Sequence, residues 1–285
     1  MKTQLTTIYH QTIQALKSQK KLLLPFAIFA GIESIVLTLI YLAPRAPFNA
    51  LFGPPIKTFK GEMYLHYPVN FLLIPEASSF FRTLITVFIG SLLAGAAALM
   101  IAQIYEKKAV IFGSAVANSA KKYFQLLIIV LTTSIILHYA YKGLAIVILK
   151  YFVAGHKQLL GLSYSVWRGP ITIVLSILIL LVVQAFFVYA VSFLMIGKEK
   201  LFKAIWKSFV FFFKNIWQTF LIVTLPFLFY IPIIILQYKT AYLIDNVFPE
   251  MVLIVAYTGT LLSSLVVDLF VTMSATLYYL NNKES

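Results

Sequence analysis

Two carboxylates stand where a strongly apolar chain has least room for them. Glu33 interrupts the apolar run 22–43, and Asp268 interrupts the run 251–279. A charged side chain at mid-membrane costs at least ~2.5–3.5 kcal/mol on insertion scales, so each needs a reason to be there. Gln184 sits similarly inside the run 169–197. Counting helical rise from the basic end of each run puts Glu33 about 18 Å, Asp268 about 20 Å and Gln184 about 21 Å deep. Ser91 and the sequence Thr132-Thr133-Ser134 fall at similar depths. Such an intramembrane polar layer can relay a proton or a cation, or hold a small polar substrate. It can equally be structural, a protonated carboxyl donating interhelical hydrogen bonds worth about 1 kcal/mol each. The count puts no lysine or arginine at this level, so no salt bridge is expected there.

The other chemistry-bearing residues form no pattern. His138 is expected to be a hydrogen-bonded packing residue, and His10, His66 and His156 lack the spacing of metal ligands. With no cysteine, thiolate metal sites, disulfides and cysteine nucleophiles are excluded. The sequence contains no H-E-x-x-H, G-x-S-x-G or P-loop. Gly161-Leu162-Ser163-Tyr164-Ser165 lacks the second glycine of a nucleophile elbow. Glu33 and Asp268 could pair as an acid dyad, but their flanks are unlike those of intramembrane aspartyl proteases. Neither an enzyme nor a bound cofactor or metal is expected.

The elements that carry these residues follow from composition. The chain is 61% hydrophobic and 11% charged, with mean hydropathy +0.92. Soluble domains average about 45–50% apolar and about 25% charged residues, so the expected solvent is a bilayer. About 20 apolar residues span the hydrocarbon core as a helix. Six runs qualify: 22–43, 82–105, 123–141, 169–197, 215–238 and 251–279. They are continuous and too long for barrel strands, and lipid cannot satisfy free backbone groups. The predicted fold is all-α, one polytopic membrane bundle over residues 1–285.

Pro226 and Pro232 should kink the fifth helix. Gly90, Gly95 and the alanines at 94 and 96–98 give the second helix a small face for close packing. Prolines at 44, 47, 54, 55, 68 and 75 argue against a continuous helix over 44–81, which reads as an interfacial loop or a cap. The run 143–154 reads as an extension of the third helix or a short interfacial one. The first run follows a 21-residue polar leader and is itself too long for a signal peptide, so it is expected to be retained.

Orientation follows from the basic residues. Placing both termini in the cytoplasm puts 14 of the 23 lysines and arginines on that side. A net charge of +14 carried at the ends of apolar segments points to anionic lipid head groups as the partner rather than nucleic acid. In 198–214, Lys200, Lys203, Lys207 and Lys214 form one helical stripe, and Phe202, Trp206, Phe209 and Phe213 share the remaining surface with Leu201, Ile205 and Phe212. Such a helix lies in the head-group plane with its lysines toward water or lipid phosphate. Basic amphipathic segments also occupy 5–21 and 107–122. Their spacing suggests three units, 1–105, 106–197 and 198–285, each an interfacial helix followed by a hairpin. Independent anchors at a positive-inside boundary are the plainer explanation.

The stretches Lys203-Ala204-Ile205-Trp206-Lys207-Ser208, Asn215-Ile216-Trp217 and Thr276-Leu277-Tyr278-Tyr279 resemble the six-helix bacterial membrane proteins of the YciC type. They also resemble the membrane domain attached to some glycerophosphodiester phosphodiesterases. The resemblance implies the six-helix layout. It stops at Leu280-Asn281-Asn282, where an acidic and then a basic residue would follow, and with no phosphodiesterase domain in these residues it implies no such activity. The leading functional expectation is a non-catalytic membrane protein that organises lipid or envelope or acts as a membrane partner subunit. A transporter or channel using the polar layer is the alternative, and an intramembrane enzyme the third reading.

Overall fold

The computed structural model describes residues 5–147, 158–159 and 162–283, and these are overwhelmingly helical. Helix α1 (Leu5–Ser18) buries Ile8, Thr12 and Ala15 along one face. That face lies on the last helix, α15 (Leu269–Asn282), where the Thr12 and Ser274 hydroxyls meet at 3.2 Å. A short 3-10 turn leads into α2 (Leu24–Leu42), whose Pro25 sits in the first turn, where no backbone donor is needed. Two helical units follow in place of the expected loop. Helix α3 (Asn49–Phe59) accommodates Pro54 and Pro55, and α4 (Leu73–Ile85) begins with Pro75 in its first turn.

The second apolar helix therefore starts well before the expected residue 82. It runs 37 residues, Val69–Tyr105, as a 3-10 turn (Val69–Leu72), α4, a π-helical stretch (Thr86–Gly90) and α5 (Ser91–Tyr105). The prolines break 44–81 into pieces, as their chemistry requires, but Pro75 initiates a helix rather than ending one.

Helix α6 (Phe112–Ala120) precedes α7 (Tyr123–Val147), which carries the third run through Gly143. The remainder of the 143–154 run, and His156, lie outside the described residues. Two-residue strands β1 (Gln158–Leu159) and β2 (Leu162–Ser163) pair antiparallel before α8 (Tyr164–Phe187). The chain continues through α9 (Ala190–Met195) and the amphipathic α10 (Leu201–Lys214) to α11 (Ile216–Leu228). The α10 and α11 axes turn through 98° at Asn215. The expected kink is a clean break, with α12 (Ile231–Tyr238) beginning beyond Phe229 and Tyr230. Helices α13 (Thr240–Asn246) and α14 (Met251–Leu262), then a second π-helical stretch (Ser263–Asp268), complete the chain up to α15. Among the described residues, five helices are long and apolar enough to cross a membrane, or six if the bent pair α10–α11 counts as one span. The fold is an all-α bundle that fits a multi-pass membrane protein.

The core forms where small residues allow close approach. Ala96, Ala97 and Met100 of α5 pack with Met273, Ala275 and Tyr278 of α15 and with Tyr189. A Cβ at Gly95 would meet the Ser119 hydroxyl and lie 2.7 Å from Leu126 Cδ1, so α5 touches α6 and α7 only because that position is glycine. The α7–α8 hairpin joins this core at one end. Its buried residues are Leu126 and Ile129 on α7 and Leu181, Val183, Ala185 and Phe187 on α8, all toward the end that carries the basic helices. Beyond them the described hairpin residues are at most half-buried. His138 lies in that stretch. It is exposed, its ring 5.8 Å from Tyr139, and not the packing residue expected from its apolar surroundings.

An ion triad between two cavities

Glu33 lies midway along α2 and is only 5% exposed. Its carboxylate faces two partners. Arg82 Nε of α4 approaches Oε1 at 3.2 Å, and Ser264 Oγ donates to Oε2 at 3.0 Å. The Arg82 contact is an ion pair whose N–H is not aimed well enough to count as a hydrogen bond. Arg82 also reaches the second predicted acid, its Nη2 lying 3.6 Å from Asp268 Oδ2 and donating to Ser263 Oγ. The expectation that no salt bridge was available is therefore corrected. Arg82, the first residue of the run 82–105, joins Glu33 and Asp268.

The reason for the miss is geometric. Arg82 lies 23 residues before Tyr105, about 35 Å of helical rise, which exceeds the ~30 Å hydrocarbon core. Counting thus placed it outside. A 37-residue helix must tilt or protrude, and then packing rather than residue count sets the depth. Proximity of an arginine to the edge of an apolar run was the one available signal.

Local backbone geometry assembles the site. Arg82 lies just before the first π-helical stretch, and its carbonyl accepts from Thr86 Oγ1 at 2.8 Å. Ser263, Ser264 and Asp268 all lie in the second. A π-turn inserts one residue into the helix and rotates the side chains that follow, which is why such turns recur at functional positions. The second π-helical stretch brings Ser263 and Asp268 to the guanidinium and Ser264 to the Glu33 carboxylate.

The charges do not balance. With all three groups ionised, two carboxylates surround one guanidinium and the triad carries one net negative charge. Compensation is also uneven. Glu33 is enclosed and close to Arg82, while the Asp268 side chain is 36% exposed and farther away.

The triad lies between cavities. The first, about 130 Å³, is lined by Glu33, Arg82, Ser78, Tyr230 and Thr260, on the side away from the basic helices. The second, about 180 Å³, is lined by Phe26, Phe29, Leu93, Asp268 and Thr272, on the side toward them. A third, about 280 Å³, lies under the α7–α8 hairpin and also includes Asp268 and Thr272. Gln184, Thr133 and Ser134 line this third cavity. The expected polar layer is thus partly assembled. Glu33 and Asp268 come together through Arg82, whereas Gln184 shares a cavity with Asp268. Ser91 is fully buried, with its hydroxyl turned back to the Phe88 carbonyl.

The lysine stripe carries a counterion of its own. Glu199 takes Lys203 at 3.2 Å and also Lys207. Hydrogen bonds from Lys207 and Lys203 hold the Glu199 carboxyl below the usual carboxylate range. Both lysines stay on the surface, their side chains 62% and 40% exposed. Lys200 stands at the start of α10 and Lys214 at its end. The neighbouring aromatics are strongly exposed, Phe202 at 83% and Trp206 at 69%. Among the described residues no group of histidine, aspartate and glutamate could hold a metal ion.

No protein-family model matches the chain, and neither a curated protein nor a solved structure does.

Proposed function

We propose that this chain is a multi-pass cell-membrane protein that passes a proton or a small monovalent cation between the two sides of the Arg82 triad. Both termini and the helices α1, α6 and α10, with the lysines in or beside them, would face the cytoplasm. The observation that carries this reading is the Glu33–Arg82–Asp268 cluster, set among apolar helices with Glu33 buried and bordered by a cavity on each side. Ionisable groups inside a membrane face the bundle interior or a polar cavity, and typically mark ion pathways. One net negative charge is matched by one bound proton or one monovalent cation. Arg82, shared by both acids, can follow whichever carboxylate remains ionised.

The test is flux in liposomes. Under an imposed pH or cation gradient, vesicles holding the native chain should dissipate the gradient faster than empty ones. Glu33→Gln and Asp268→Asn should each abolish the difference, and Glu62→Gln on the surface should not. Rates equal to empty vesicles for protons and for sodium and potassium would overturn the reading.

A second reading has its own support, in the 98° turn between α10 and α11 and the exposed aromatics of α10. These suit a helix lying among anionic lipid head groups. The chain would then organise lipid or the envelope without carrying a solute, as the layout of YciC-type proteins also allows. Absence of flux would leave this reading in place.

A further inference from the structure

The cavity beneath the α7–α8 hairpin sets one acid, several hydroxyls and an amide among hydrocarbon walls. Gln184 Oε1 is buried there with no hydrogen-bond partner among the described residues. Thr133, on the same wall, already donates its hydroxyl proton to the Ile129 carbonyl at 2.8 Å, so toward the cavity it can only accept. Asp268 is the less compensated member of the triad, its side chain partly open while Arg82 lies closer to Glu33. Ile129, Val130, Val183 and Phe187 supply apolar walls.

We infer that this cavity binds an amphiphilic monocation, a small organic ammonium ion with a hydrocarbon body. An ammonium group has several donors and no acceptor. It would neutralise the triad's unbalanced charge at Asp268 and satisfy Gln184. An anion would meet Asp268 with the wrong sign, and a purely apolar molecule would leave the Gln184 oxygen without a partner and the triad's charge unbalanced. The volume, about 280 Å³, approaches the ~300–1,000 Å³ of small-molecule sites. Access is consistent with this chemistry. The hairpin's buried residues lie only near the basic helices. Although Gly169 of α8 still meets Tyr238, the residues of α7 beyond Ile129 are part-buried or exposed, which leaves the cavity a lateral approach along α7. An amphiphile can then enter from the bilayer, where such molecules accumulate.

The inference rests on reading the triad as an ion-binding element, and it names the substrate class of that site. Its test uses the purified full chain in detergent with three molecules of one shape: 2-phenylethylamine, a cation at pH 7; 2-phenylethanol, neutral; and phenylacetate, an anion. Thermal stability is followed against concentration. The amine should bind at least about tenfold more tightly than the alcohol, because its hydrogen bond to Asp268 is charge-assisted, and phenylacetate should not bind. Asp268→Asn should remove that preference. Ser134→Phe, which fills the cavity without touching the triad, should abolish binding of both the amine and the alcohol; Gln184→Leu, a smaller change, should weaken the amine selectively.

Equal binding of amine and alcohol, or a preference that survives Asp268→Asn, would overturn the inference. Proton flux of the native chain, measured alongside, separates the two claims. Flux without amine preference would leave the ion-passage reading standing and remove only this one; absence of both would remove both.

Discussion

Replacing Arg82 with glutamine would leave Glu33 and Asp268 facing each other without their shared cation. Contact distances of 3.2 and 3.6 Å correspond to attractions of roughly 5 kcal/mol each at an effective dielectric of about 20. The net loss is smaller, because the ionised groups already carry a desolvation cost. Removing one partner of a buried ion pair generally costs ~3–5 kcal/mol. The Arg82 side chain is 32% exposed, which favours the lower end, about 3 kcal/mol. Equilibrium unfolding in mixed micelles of increasing sodium dodecyl sulfate would measure it. The triple variant Arg82→Gln, Glu33→Gln, Asp268→Asn removes every charge together and should recover to within about 1 kcal/mol of the native chain. If Arg82→Gln alone lies within about 0.5 kcal/mol of native, or the triple variant is no better than the single, the guanidinium is not holding these acids and the reasoning fails.

Three further outcomes follow from particular contacts. Gly95→Ala should destabilise by about 1–3 kcal/mol through overpacking against Ser119 and Leu126, read in the same micelle titration; an unchanged midpoint would mean α5 and α6 are less close than described. Asn215→Ala should cost about 1–3 kcal/mol, because buried Asn215 accepts from Tyr278 at 3.0 Å and donates to the Phe211 carbonyl at 3.0 Å. Tyr278→Phe should cost less, since it leaves Asn215 its backbone bond. Glu199 titrates below the usual carboxylate range in the folded chain. Its stabilisation of α10 is therefore present above the ordinary carboxylate value and is lost as pH falls through the lowered one. Amide protection over 199–214, corrected for the intrinsic pH dependence of exchange, should fall in acid for the native chain, and this pH dependence should flatten in Glu199→Gln.

The sequence revealed the helical class because membrane spans require long apolar runs, and most run boundaries lie within a few residues of the observed helices. It revealed Glu33, Asp268 and Gln184 as misfits for the same reason: charge and amide are conspicuous against hydrocarbon. Arg82 was not legible, since its depth depends on the tilt of a 37-residue helix, a property of packing. Neither were the π-helical stretches at Thr86–Gly90 and Ser263–Asp268, because nothing in their composition sets them apart from ordinary helix. Pro75 misled in the opposite direction. A proline marks a break and a helix start equally well, and only the apolar surface it must bury decides between them. His138 shows the limit of inferring burial from apolar neighbours, since in a membrane bundle an apolar segment can face lipid along much of its length.

In the proposed reading the Arg82 triad separates the two cavities and lets only a proton or a small cation between them. The chain contains no cysteine, so single cysteines report cleanly. Ser78→Cys lies in the cavity away from the basic helices and Thr272→Cys in those toward them. A membrane-impermeant thiol reagent applied to intact cells should label Ser78→Cys and spare Thr272→Cys. Combining Thr272→Cys with Arg82→Gln should then admit the reagent. Equal labelling of both single-cysteine variants from outside, with Arg82 intact, would contradict the account.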